Sequence, residues 1–164
     1  DTWATRCDNF KFITKIPDYY KNHSSSNSSH ELSWLKPEYL LEPDGLVNDA
    51  YNELTNKVYF TFRDVFRNYN NYDWYLKADD DSFIFVDNMK KFLLDKNSSS
   101  PVTYGYDFKV IVKSGYHSGG GSYLLSKKAF DLLGQKLNET INLNFCPNTG
   151  TEDVDVARCL RELG

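Results

Sequence analysis

The sequence predicts an α/β fold, a mixed sheet flanked by helices. Three observations carry this reading. Apolar residues recur at helical spacing between Ala50 and Tyr69. A short aromatic segment, Trp74 to Ala78, runs straight into Asp79-Asp80-Asp81. From there to the end, strand-like and helix-like segments alternate, the order expected of α/β proteins. Several connections are too short for parallel crossovers, so the sheet is mixed. Neither an internal repeat nor a shift in composition divides the chain, so residues 1–164 read as a single domain.

The elements follow in order. Phe10 to Lys15 alternates as a strand does, and Asn22 to Ser29 is a polar low-complexity run expected to be a mobile loop. Leu54, Val58, Phe62, Val65, Phe66 and Tyr69 share one face of a helix that Asn68, Asn70 and Asn71 end. Trp74 to Ala78 is expected to be a buried strand that delivers three carboxylates to its end, with Phe83 to Val86 following. Asp87 can then cap a helix from Asn88 to Asp95. Val102 to Tyr106 and Lys109 to Lys113 read as strands. Gly119 to Gly121 form a turn before the strand Ser122 to Leu125, and Ser126 caps a helix through about Leu137. The last helix starts at Thr151, whose hydroxyl can cap it, and buries Val154, Ala157, Leu160 and Leu163.

Composition narrows the function classes. With 19 Lys+Arg against 23 Asp+Glu and a net charge of −4, there is no cationic surplus to displace phosphate counterions, which argues against nucleic acid as a partner. A metal or cationic partner is easier to accommodate. Aromatic residues make up 16%, which suits packed interiors and the walls that hold flat or sugar-like ligands. No apolar run is long enough for a membrane span, and the first residues lack the basic and apolar regions of a signal peptide. Four acceptor motifs for N-glycosylation, at Asn22, Asn27, Asn97 and Asn138, favour a lumenal setting. Cys146 and Cys159 bracket a turn and helix and can close a disulfide; Cys7 then lacks a mate within these residues.

The chemistry-bearing signals are few. Three adjacent carboxylates repel one another, and a cation at a strand end keeps them ionised; hard oxygen ligands suit Mg²⁺ or Mn²⁺. A solvated Asp-rich turn is the alternative. The glycine run Gly119, Gly120, Gly121 permits close approach of backbone to a diphosphate or sugar, or simply makes a tight turn. Glu152 and Asp153 open the last helix, where acidic groups favour the macrodipole, and one of them can instead project into a cleft as a general base. His23 and His30 lie in the low-complexity run and His117 has no companion at metal-ligand spacing, so each reads as a loop histidine. Trp3, Trp34 and Trp74 read as packing residues.

Taken together, four segments resemble the fringe-like β1,3-glycosyltransferases, most closely the branch that builds the core 1 disaccharide on O-linked GalNAc. They are TWATRC (Thr2 to Cys7), DWYLKADDDSFIFVDNM (Asp73 to Met89), VKSGYHSGGGSYLLSKKA (Val112 to Ala129) and EDVDVARCL (Glu152 to Leu160). The resemblance implies a GT-A nucleotide-sugar-binding fold with Mn²⁺ as cofactor. By position it makes Asp81 the principal metal ligand, with Asp79 sharing the metal or facing the nucleotide. Lys77, Asp80 and Gly119 to Gly121 would line the donor side, Asp153 would be the catalytic base, and Glu152 would contact the acceptor. The implied activity is inverting transfer of galactose from UDP-galactose to the 3-hydroxyl of GalNAc on a glycoprotein. A related transferase with another donor or acceptor, or a noncatalytic chaperone-like relative, are the alternatives. The resemblance further implies a type II membrane protein of the Golgi lumen, possible as a homodimer, whose first strand, C-terminal part, anchor and Cys7 partner lie outside these residues. Three positions depart from the family: it commonly has Gly-Gly-Ala-Gly where this chain has Gly119 to Ser122, an apolar residue at His117, and tryptophan at Thr55, whereas Lys57 matches.

Overall fold

The computed structural model describes residues 2–16, 36–139 and 145–164. Within them the architecture is mixed α/β, with small sheets flanked by helices, consistent with a GT-A-like domain. The expected low-complexity loop, Trp34, His23, His30 and the motifs at Asn22 and Asn27 lie outside the described residues.

The strands are β1 (Phe12–Ile13), β2 (Leu40–Leu41), β3 (Trp74–Lys77), β4 (Thr103–Gly105), β5 (Asp107–Phe108), β6 (Tyr116–His117) and β7 (Tyr123–Ser126). The helices are α1 (Leu54–Asn68), α2 (Val86–Leu93), α3 (Lys127–Glu139) and α4 (Glu152–Glu162). Short 3-10 turns precede β1 at Trp3–Arg6, β2 at Pro37–Tyr39 and α1 at Tyr51–Glu53.

The central sheet has the order β3-β7-β4, antiparallel throughout. Its register sets Lys77 opposite Tyr123, and Tyr123 opposite Gly105. These three residues therefore share one end of the sheet. β1 pairs with β2 in parallel, and β5 with β6 antiparallel, as two separate ribbons.

The core lies between this sheet, α1, α3 and α4. α1 contributes Val58, Tyr59 and Phe62, and α3 contributes Ala129, Phe130, Leu133 and Leu137. Phe130 is fully buried and stacks on Tyr75 of β3 with ring centroids 3.8 Å apart. Each such side chain contributes about 1.5–3 kcal/mol through removal of apolar surface from water. Gly134 lets α1 and α3 close on each other: a Cβ there would stand 2.5 Å from the Phe66 ring. The Cys146–Cys159 disulfide is formed and ties the segment before α4 to the helix itself. Tyr59 reinforces it by donating its hydroxyl to the Pro147 carbonyl at 2.9 Å.

Several expectations are corrected. Trp74–Lys77 is only half-buried, because β3 is an edge strand; the buried strand is β7. Phe83 and Phe85 do not continue it but stand exposed, leaving Val86 as the buried residue that starts α2. Asp87 lies inside the first turn of α2 and pairs with Arg6 instead of capping. No strand forms over 109–113; Val110 and Ile111 face solvent without a partner edge, and pairing occurs earlier, at Asp107–Phe108. His117 belongs to β6, not to a loop. Thr151 occupies the N-cap of α4, yet its hydroxyl makes no cap bond. The cap at Ser126 does form, its Oγ accepting from the Ala129 N–H at 3.1 Å.

Candidate active site

The end of the central sheet gathers most of the expected site residues. Lys77, the last residue of β3, sends its ammonium between the carboxylates of Asp79 and Glu152; its Nζ is 3.2 Å from Glu152 Oε2. It also reaches the Gly119 carbonyl at 3.5 Å. Glu152 is buried at the start of α4, and its Oε1 accepts the Tyr123 hydroxyl at 2.5 Å. Asp153 turns the other way, with Oδ2 accepting the Gly119 N–H at 3.0 Å and Oδ1 the Val154 N–H at 2.8 Å. A chain of bonds thus runs from the acidic turn through Lys77 to the glycine turn and α4.

Glycine at 119 is a spatial requirement. A Cβ there would sit 3.0 Å from Glu152 Oε2 and 3.3 Å from Lys77 Nζ, tighter than ordinary packing. Gly120 faces Asp79, whose Oδ2 would be 3.9 Å from a Cβ at 120. Ser122, where the family has glycine, takes a φ of 62°, in the left-handed region.

Asp80 and Asp81 stand exposed on the turn that follows β3. That turn is closed by the Ser82 N–H bonding the Asp79 carbonyl at 3.1 Å. Ser82 Oγ donates to the Gly120 carbonyl at 3.2 Å, and Trp3 Nε1 donates to the Ser82 carbonyl at 2.9 Å. The acidic turn is thereby fastened to the glycine turn on one side and to the first 3-10 turn on the other.

The electrostatics follow from surplus negative charge around one cation. Burial pushes the Glu152 carboxyl above the usual glutamate range, against the opposing pull of Lys77 and the Tyr123 hydroxyl. Burial draws the Lys77 ammonium down, but Glu152 and Asp79 outweigh it and its pKa lies above the ordinary lysine value. Tyr123 is likewise raised, by burial and then by Glu152.

Among the described residues, no three His, Cys, Asp or Glu side chains converge as a ready metal cage. The donor set still suits a hard cation, since Mg²⁺-type sites commonly use one or two carboxylates and take the remaining ligands from substrate phosphates and water. Asp79, facing Gly120, supplies an oxygen of that kind beside the glycine turn, and Asp81 stands exposed two residues further on.

Sequence reasoning missed Tyr123, Ser82 and the buried Asp155. Tyr123 reads as one more core aromatic in a strand, and only the register places its hydroxyl on Glu152. Trp3, expected as a packing residue, also donates a hydrogen bond to the acidic turn.

An acidic strand end, a glycine turn and a carboxylate-bearing helix start are thus drawn together by one lysine. Residues 46–115 match the family model described as Galactosyltransferase, in keeping with the resemblance drawn from the segment Asp73 to Met89. The matched segment contains Lys77 and the Asp triplet and ends before the glycine turn. The chain is similar to glycoprotein-N-acetylgalactosamine 3-beta-galactosyltransferase 1 of Xenopus laevis, 34% identical over 96 residues that cover 58% of this chain and 26% of the relative. It is also similar to chondroitin sulfate synthase 3 of Homo sapiens, 29% identical over 103 residues, 57% of this chain and 11% of the relative. The chain therefore spans about a quarter of the first relative's length and about a tenth of the second's.

Proposed function

We propose that this chain forms part of a single GT-A domain of an inverting β1,3-galactosyltransferase. It moves galactose from UDP-galactose to the 3-hydroxyl of O-linked GalNAc on a glycoprotein. The observation that carries the reading is the meeting of Lys77, Gly119, Glu152 and Asp153 within hydrogen-bonding reach at one sheet end.

The donor lies over the glycine turn, its diphosphate toward Asp79 and Asp81. Asp79 and Asp81 would hold Mn²⁺, which when bound would supply charge neutralisation for a departing diphosphate. Asp80, exposed beside them, faces the nucleotide. Asp153 takes the proton of the acceptor hydroxyl, each of its oxygens keeping a lone pair beyond its backbone bond. The freed oxygen attacks the anomeric carbon opposite the diphosphate, the bond to UDP breaks, and the configuration inverts. Glu152, fixed by Tyr123 and Lys77, contacts the acceptor.

Among the described residues no helix is long and apolar enough to cross a membrane. We place the full-length protein in the Golgi lumen on a type II anchor outside these residues. Asn97 supports this setting: it is exposed, in a turn where its Oδ1 accepts the Ser99 N–H at 2.9 Å and its Nδ2 donates to the Ser100 hydroxyl at 3.2 Å. The identity to a chondroitin sulfate synthase supports a second reading, a related transferase with a different donor or acceptor.

The test is Mn²⁺-dependent release of UDP by the full-length lumenal protein. It compares UDP-galactose with UDP-GlcNAc and supplies a GalNAc-bearing glycopeptide as acceptor. Galactose transfer that Asp81→Asn abolishes without unfolding establishes the reading; full activity in Asp81→Asn sinks the metal assignment. Transfer from UDP-GlcNAc alone favours the second reading.

A further inference from the structure

We infer that Asp155, held by Thr55 and Thr149, is a positioning residue that sets where α4 presents Glu152 and Asp153. The kinetic part of this inference rests on the proposed function; the structural part does not.

Asp155 is fully buried, and so is Thr55 in the first turn of α1. The Thr55 hydroxyl donates to Asp155 Oδ2 at 2.9 Å. The Thr149 N–H donates to the same oxygen at 2.7 Å, and the Thr149 hydroxyl to Oδ1 at 2.8 Å. None of the three donors belongs to α4. Buried carboxylate oxygens are costly when unpaired and bind strongly when several donors meet them, so this side chain tolerates little displacement.

The usual device for fixing a helix start does not operate here, because the Thr151 hydroxyl makes no cap bond. Asp155 takes over that task from within the helix, reaching back to Thr149 before it and across to α1 beside it. Glu152 lies three residues earlier, on the same face of α4. A slide or rotation of α4 that released Asp155 would also carry Glu152 away from Tyr123 and Lys77, and Asp153 away from Gly119. In this way α1, which holds none of the proposed reacting groups, sets their placement.

The test uses the isotopically labelled chain and its Gly119 amide, which reports on Asp153 through their hydrogen bond. In Thr55→Val, a shape-conserving change that removes only the hydroxyl donor, the Gly119 amide proton moves upfield. In the active protein kcat falls by about tenfold, as expected for a small misplacement of a reacting group, while KM for the sugar nucleotide holds. Thr55→Ser restores both. An unmoved Gly119 amide in folded Thr55→Val overturns the inference, and so does an unchanged kcat where the parent is active. If Thr55→Val does not fold, Thr149→Val removes a donor from the exposed side and carries the same readouts. A parent that turns over neither donor refutes the proposed function, and the Gly119 amide alone then decides the positioning.

Discussion

The backbone N–H of Gly119 donates to the carboxylate of Asp153 across 3.0 Å, joining the glycine turn to the first turn of α4. One bond thereby fixes the distance between the surface a donor would lie on and the group that would take the acceptor's proton.

Gly119→Ala tests how closely that distance is set. The added methyl would meet Glu152 Oε2 at 3.0 Å and Lys77 Nζ at 3.3 Å, so these two side-chain ends would have to give by a few tenths of an ångström. Overpacking of this kind costs about 1–3 kcal/mol. Turnover is expected to fall at least tenfold, about the effect of a sub-ångström displacement, measured as UDP release alongside a urea unfolding curve.

Asp153→Asn keeps the shape and removes the proposed base. UDP binding by calorimetry is expected to persist, while transfer falls by about 10²–10⁴, the usual contribution of a general base. Loss of binding with the fold intact would assign Asp153 to holding the turn together instead.

Ser122→Gly should stabilise the protein. Ser122 sits at φ 62°, and its buried hydroxyl oxygen has no hydrogen-bond partner among the described residues. The left-handed conformation costs a non-glycine residue about 1–2 kcal/mol, and glycine's extra freedom in the unfolded chain returns part of that. A net gain of about 1 kcal/mol is expected in chemical denaturation; an unchanged midpoint would show that the strain is relieved elsewhere.

His117 makes the fold sensitive to acid. Its Nε2 bonds the Thr103 hydroxyl at 2.9 Å, while its buried Nδ1 has no partner. Burial depresses its pKa below the ordinary 6.5, outweighing the opposite pull of Asp107, and Arg161 lowers it further. The unfolded chain then takes up the proton first, so this contribution is complete above about pH 6.5 and is lost as pH falls through the folded value. His117→Leu is expected to flatten that loss. The check is the urea midpoint at pH 7 and pH 5: an equal drop in both proteins would refute the role.

Much of the site was legible because its signals are local. The Asp triplet after a short aromatic strand, the glycine run and the helix opening at Glu152 are each contiguous, and each lies where expected. What escaped depends on register and depth. No periodicity tells that β7 is central and β3 an edge, or that Tyr123 faces Lys77. Asp155 escaped because a carboxylate buried by threonines from two other segments leaves no mark in sequence. Lys109 to Lys113 misled for the opposite reason: Val110 and Ile111 have strand-forming side chains but no edge to pair with.

The Lys77–Gly119 and Gly119–Asp153 bonds join residues 42 and 34 positions apart. Contacts of that span form only after the intervening chain has been ordered, and closing such loops is what slows folding. A half-folded intermediate would therefore carry the acidic turn, the glycine run and α4 as unconnected pieces. Sugar transfer would then be a late reporter of maturation, silent until the last long-range pairing closes.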